Sequence, residues 1–267
     1  MILLLPVFQP GRRLPALVTE LRAAAPDLPI VVIDDGSDDP ASSDALRAAR
    51  DLGCTVLRHR TNRGKGVALR TGFRFVVREY PGQGVVCADA DGQHRTEDIL
   101  RVTARVRATG RMVLGVRRFQ GRVPLRSRAG NTITRLVFRA VTGCSVRDTQ
   151  TGLRAYPADL LTWLLGVPGD HFDYEMAVLL EATRVGHPIE QTTVATTYVA
   201  DSGSSHFGAV TDSLRIYRPL VRFVISPGTA RRRSGPPADR RSGDPVTGAD
   251  PMPHPRLPES PVRTLRT

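Results

Sequence analysis

Through the first half of the chain, short runs in which every residue is apolar alternate with stretches whose apolar residues fall three or four apart. Ile2–Val7 is a run of the first kind, residues 30–33, 85–88 and 112–116 repeat it, and 55–57, which opens on Thr55, is a shorter strand candidate. Between them, Leu14, Leu17, Val18 and Leu21 share one helical face, and Ile99, Val102 and Val106 mark another. Residues 42–52 and 66–77 also carry the helical period. Strands that are apolar on both faces and separated by helices belong to a mainly parallel sheet covered on both sides. The pattern therefore predicts an α/β domain, a Rossmann-like, mainly parallel sheet flanked by helices. The second half is less regular. It predicts a helix over 129–141, a loop at 148–152 entering a short strand that ends at Tyr156, and a helix over 177–185 with Glu175 near its start. A strand at 194–198 and an apolar, basic helical stretch over 213–224 follow.

Sheets of this kind bind ligands beyond the carboxyl ends of their strands. Those ends read Pro6-Val7-Phe8-Gln9, Asp34-Asp35-Gly36-Ser37 and Asp89-Ala90-Asp91-Gly92-Gln93, and all are expected on one rim.

The periodicity stops near residue 225. Residues 227–267 hold nine of the 21 prolines, with eight arginines against four acidic residues. Such a segment buries too little apolar surface to offset its ordering entropy. Residues 1–225 are thus expected to fold as one domain, and 226–267 to form a disordered, basic, Pro-rich tail. The net charge is +12, and Lys65 is the only lysine among 38 basic residues. An excess of this sign suits an anionic partner: a diphosphate, a membrane surface or nucleic acid. The chain has no helix-turn-helix signature, zinc-finger spacing or aromatic-rich RNA-binding motif, so nucleic acid is not an expected partner. Cys54, Cys87 and Cys144 are scattered and odd in number, which predicts reduced thiols in a cytoplasmic protein. The first residues lack a basic lead and meet Pro6, so no signal peptide is expected. No apolar run approaches the ~18 residues that a membrane span needs.

Asp89-Ala90-Asp91 carries the clearest chemistry. Two carboxylates at the exposed end of a buried strand can share a hard divalent cation together with substrate phosphate oxygens. A solvated acidic turn would read the same, but the preceding strand and the following Gly92-Gln93-His94 favour the metal. Asp34 and Asp35 could accept from a nucleobase or ribose, or simply cap the next helix. Asn62-Arg63-Gly64-Lys65-Gly66 precedes a helix, where glycines let the backbone approach a phosphate and the helix start attracts anions. It is not a Walker loop. Asp148 could meet a ligand or cap local structure. Glu175 could be a base or an acceptor contact, or serve the helix dipole. His59, His94, His171 and His187 lack ligand spacing and are read as surface or loop residues. Trp163 is read as core.

In this order the motifs resemble family-2 glycosyltransferases with the GT-A fold. Leu5-Pro6-Val7-Phe8, Val32-Ile33-Asp34-Asp35-Gly36-Ser37, Asn62-Arg63-Gly64-Lys65-Gly66 and Asp89-Ala90-Asp91-Gly92-Gln93-His94 carry the likeness. Gly115-Val116-Arg117, Asp148-Thr149-Gln150-Thr151-Gly152-Leu153-Arg154, Phe172-Asp173-Tyr174-Glu175-Met176 and Ser204-Ser205-His206-Phe207 extend it toward the dolichyl- and polyprenyl-phosphate sugar synthases. The resemblance spans about residues 1–220. It implies a nucleoside pocket lined by Pro6, Val7, Phe8, Ile33, Asp34 and Asp35. It also implies Mg²⁺ or Mn²⁺ on Asp89, Asp91 and Gln93, with Ala90 between them, and donor phosphates near Lys65, Arg117 and His206. Pro10 stands where the family usually has an acidic residue, which leaves the donor base open.

The implied reaction is an inverting displacement at the anomeric carbon of a UDP- or GDP-linked sugar. Asp89, Asp91, Asp148 and Glu175 are its candidate catalytic residues. The favoured acceptor is a polyprenyl phosphate, which needs no base. The clustered Arg117, Arg118, Arg122, Arg126 and Arg128 suit such a lipid phosphate. A soluble or protein-borne hydroxyl, which needs one, is the rival acceptor, and a non-catalytic nucleotide-sugar-binding module is the rival of another class. Peripheral contact with an anionic membrane, at its inner face, is expected from 213–224 and the basic tail.

Overall fold

The structure, a computed structural model, describes residues 1–118, 125–195, 219–221, 223 and 225. The apolar runs of the first half become strands: β1 (Ile2–Val7), β2 (Ile30–Asp34), β3 (Thr55–Arg58), β4 (Val85–Cys87) and β5 (Met112–Arg118). The periodic stretches between them become α1 (Arg13–Ala24), α2 (Pro40–Asp51), α3 (Lys65–Glu79) and α4 (Thr96–Thr109). Leu14, Leu17, Val18 and Leu21 are the buried residues of α1. Asp39 caps α2 by accepting from the Ser42 amide at 2.8 Å, with Pro40 in the first turn. Then follow α5 (Leu125–Thr142), β6 (Arg154–Tyr156), α6 (Leu161–Gly166), α7 (Asp173–Val185) and β7 (Ile189–Ala195).

The strands form one seven-stranded sheet in the order β3-β2-β1-β4-β6-β5-β7. All pairs are parallel except those of β6, which runs antiparallel to both β4 and β5. Side chains of successive residues leave the sheet on opposite faces, and two cores result. Ile2, Leu4, Val31, Ile33 and Val85 face α3, α5, α6 and α7. Leu3, Leu5, Val32 and Val86 face α1, α2 and α4. Each leucine buried this way contributes about 1.5–3 kcal/mol.

The structure corrects some sequence expectations. The antiparallel β6 in mid-sheet is the exception within a sheet that is otherwise parallel, as expected. Helix α6, with a 3₁₀ turn at Ala158–Leu160 before it, was not foreseen. The last strand begins at Ile189, earlier than expected; residues 196–198, where it was expected to continue, lie outside the described residues. So do Ser205, His206, Arg122, residues 213–218 and residues 226–267. Among the described residues no helix is long and apolar enough to cross a membrane.

Candidate active site

The sheet brings the carboxyl ends of β1, β2 and β4 side by side, since Val7 pairs with Asp34 and Leu4 with Cys87. At the end of β1, Gln9 has a positive φ of 50°, the only non-glycine to do so among the described residues. Its amide donates to the Ser37 hydroxyl at 2.8 Å. Pro6 and Phe8 are half-buried on this rim, and Val7 is buried. Ile33 and Asp34 are fully enclosed. Asp34 Oδ1 accepts from the Ser37 amide at 3.0 Å and its hydroxyl at 2.5 Å, while Arg58 Nε lies 3.1 Å from Oδ2. Neither residue presents a surface to a ligand.

Asp35 is tied to the Asn62–Gly66 loop. Oδ1 accepts from the Arg63 amide at 3.0 Å and from His59 Nδ1 at 2.7 Å; Oδ2 accepts from the Gly64 amide at 2.7 Å. His59 Nε2 lies 3.0 Å from the Thr71 hydroxyl. His59 is therefore an enclosed strut of the site, not the surface residue its spacing suggested. The loop's glycines also have a different reason from the expected one. A Cβ on Gly64, at φ +97°, would meet His171 Nδ1 at 2.3 Å, and one on Gly66 would meet Tyr174 Cβ at 2.6 Å. They let the loop pack against residues 169–174, which carry the start of α7.

That packing places Lys65, at the N-terminus of α3, between two carboxylates. Its Nζ lies 2.7 Å from Asp89 Oδ1 and 3.1 Å from Glu175 Oε2, and 5.8 Å from the centre of the Phe172 ring. Burial works against the ammonium, but Asp89 and Glu175 outweigh it and hold Lys65 charged well above its ordinary range. Burial likewise opposes ionisation of Asp89, and Lys65 overcomes it, leaving that carboxyl below its ordinary range. Gly152 lies so near that a Cβ there would stand 2.0 Å from Asp89 Oδ2.

Asp91 Oδ1 accepts from the Gln93 amide at 3.0 Å, and the Asp91 carbonyl accepts from Arg13 at 2.8 Å. Burial, then the charge of Asp89, pushes the Asp91 carboxyl up. His94 is buried with no partner at Nδ1, again contrary to the surface reading. Burial pulls it toward the neutral form against Asp89 and Asp91. Beside it a groove of about 640 Å³ runs between α1 and α4, lined by Arg13, Leu17, Glu20, His94, Arg95 and Asp98 among others. Asp89 and Glu175 do not line it.

Asp148 is fully buried and paired with Arg117, whose Nε donates at 2.7 Å and whose second nitrogen donates at 3.1 Å. Glu175 stands in the first turn of α7, its Oε1 3.8 Å from Arg154 Nε. The Arg154 guanidinium donates to three carbonyls, those of Thr151 at 2.8 Å, Glu175 at 2.6 Å and Thr149 at 3.1 Å. It thereby joins the 148–152 loop to the start of α7. Arg154 is the residue that sequence reasoning missed as part of the site; a charged residue in a short apolar strand was the available signal. Among the described residues no group of three or more His, Cys, Asp and Glu side chains is arranged to hold a metal ion, so a cation here would rest on the Asp89–Asp91 pair.

Residues 3–161 match the model of the family Glycosyl transferase family 2. An uncharacterised protein of Methanocaldococcus jannaschii is 31% identical over 202 residues, covering 73% of this chain and 81% of that one. The undecaprenyl-phosphate mannosyltransferase of Micrococcus luteus is 31% identical over 193 residues, covering 70% of this chain and 79% of that one. Among solved structures, glucosyl-3-phosphoglycerate synthase of Mycobacterium tuberculosis superposes with a TM-score of 0.64 at 20% identity, covering 84% of this chain and 79% of that one. That structure was solved with Mn²⁺, UDP-glucose and phosphoglyceric acid. At such identity the likeness speaks for the fold, which is GT-A.

Proposed function

The chain belongs to glycosyl transferase family 2, and from this premise we propose that this glycosyltransferase moves a sugar from a UDP- or GDP-linked donor to a polyprenyl phosphate, inverting the anomeric centre. The observation that carries the reading is the strand-end constellation: Asp89 and Asp91 on the rim, with Lys65 held between Asp89 and Glu175. The similarity to an undecaprenyl-phosphate mannosyltransferase supports the acceptor class.

Asp89 and Asp91, with Gln93, would hold Mg²⁺ or Mn²⁺. The residues fit: burial and, after it, the charge of Asp89 push the Asp91 carboxyl up, and a divalent cation shared by the two carboxylates would offset both. Bound there, the cation would supply Lewis-acid stabilisation of the departing diphosphate. The chain's own side chains do the rest. Lys65 stands at the start of α3 to meet the same phosphates. Arg117, oriented by the buried Asp148, adds a fixed cation on the strand-end side. Asp35, Pro6 and Phe8 border the nucleoside end of the rim.

A lipid phosphate is already anionic and attacks without a base. Both oxygens of Glu175 face cations, Lys65 at 3.1 Å and Arg154 at 3.8 Å, which favours a positioning role over proton removal. Glu175→Gln is therefore expected to lower transfer to a polyprenyl phosphate by less than about tenfold. A loss of about 10²-fold or more, with donor binding intact, would instead identify Glu175 as the base of a hydroxyl-directed enzyme.

The membrane supplies the acceptor, and peripheral attachment at the inner face of the cell membrane completes the reading. Leu220 is buried in the core while Val221 and Ile225 are more than half exposed, and Arg231, Arg232, Arg233, Arg240 and Arg241 follow in the sequence. Basic residues near an anionic leaflet contribute about 1 kcal/mol each. The protein is expected to co-sediment with anionic vesicles, less so as salt rises and after removal of residues 227–267. Equal recovery on neutral vesicles would remove the tail from the mechanism.

A further inference from the structure

Lys65 is the only lysine in the chain, and its ammonium touches the Asp89 oxygen nearest to it rather than open solvent. We propose that Lys65 is a built-in stand-in cation: while no divalent ion is bound, it occupies Asp89 and so lowers the affinity of the site for a metal arriving without donor. The proposal rests on the reading of Asp89 and Asp91 as the metal carboxylates.

Three observations carry it. The ammonium is enclosed, the Lys65 side chain being 13% exposed, so its repulsion of a second cation is poorly screened by water. Its backbone cannot retreat, because the flanking Gly64 and Gly66 are packed against His171, Asp170 and Tyr174, and the Val67 amide donates to the Asp170 carbonyl at 3.2 Å. Only the side chain can yield. It has a second place to rest, since Glu175 lies 3.1 Å from Nζ and is itself fixed by Arg154. Asp89 can thus exchange the ammonium for a metal without leaving either charge buried and alone, a loss that would otherwise cost the site dearly. Asp91 differs, having no ion-pair partner among the described residues.

This arrangement links metal to donor. A nucleoside diphosphate offers Lys65 a replacement anion, so it strengthens metal binding, and by reciprocity the metal strengthens donor binding.

The test is Mn²⁺ titration of the full chain without nucleotide, with free ion read by electron paramagnetic resonance. Lys65→Met is expected to bind Mn²⁺ about tenfold or more tighter than the wild type. Addition of UDP or GDP should tighten the wild type strongly and the variant little. Should Lys65→Met fold poorly, the Lys65→Met/Glu175→Gln pair, which leaves no unmatched carboxylate at position 175, is expected to show the same gain. Affinity equal to or below that of the wild type would overturn the proposal. Asp91→Asn separates it from its premise. Loss of Mn²⁺ binding there upholds the carboxylate pair, whereas wild-type binding there would sink the pair and the proposal together.

Discussion

Asp91→Ala is expected to lower sugar transfer by about 10³-fold, the several kcal/mol of charge stabilisation that a catalytic divalent ion supplies. The fold should hardly notice. The Asp91 side chain accepts one local bond, from the Gln93 amide, and no helix or strand of the sheet depends on it. Asp89 is the poorer choice for this test, since its removal also strands Lys65 beside Glu175. A thermal midpoint near that of the wild type, with transfer lost and nucleotide diphosphate binding weakened, is the expected result. Excess chelator should reproduce it in the unmutated protein. Transfer within tenfold of wild type in the variant, or full transfer in chelator, would dismiss the metal carboxylates.

Arg154→Met is expected to act on stability instead. The guanidinium is 1% exposed and holds the carbonyls of Thr149, Thr151 and Glu175. Methionine keeps the bulk but leaves three buried carbonyls without a donor and Glu175 with one cation fewer. Breaking a buried charge network of this kind costs about 3–5 kcal/mol, a fall of about 6–20 °C in the thermal midpoint for a domain of this size. Calorimetry of the two proteins decides it. A fall of only a degree or two would mean that the 148–152 loop and α7 are held by packing alone.

These two residues also mark what the sequence made legible. The rim was readable because each of its motifs ends a fully apolar run, and the rule that ligands sit beyond parallel strands does not depend on tertiary detail. Helix α1 was readable for the same reason: its four buried residues fall at 3.6-residue spacing. Arg154 was not, because a three-residue strand gives no period, and an arginine there has meaning only once the carbonyls around it are in place. The antiparallel course of β6 follows from the return of the chain after α5, which no local pattern states. The start of strand β7, expected only from 194, hid for another reason: Ile189–Ala195 is mostly polar and half-buried, as fits a strand at the edge of the sheet. Within the site, Asp35, Lys65 and Asp89 were each visible, but their partners were not. His59 reaches Asp35, and Glu175 reaches Lys65, across long stretches of chain. The histidines show the cost of reading them singly, since ligand spacing says nothing about a buried strut. The glycines at 64 and 66 were noticed as permissive backbone, and the object they accommodate proved to be α7 and the turn before it.

The central claim is sugar transfer to a lipid phosphate, and the most direct measurement is product formation. The full chain is incubated with Mn²⁺, a set of labelled UDP- and GDP-sugars and a polyprenyl phosphate, and the organic phase is analysed. The account predicts that one donor yields a sugar-phosphate lipid of inverted anomeric configuration, abolished by chelator. Transfer to a hydroxyl acceptor with none to the lipid phosphate, or label that stays on the nucleotide with every donor, would contradict it.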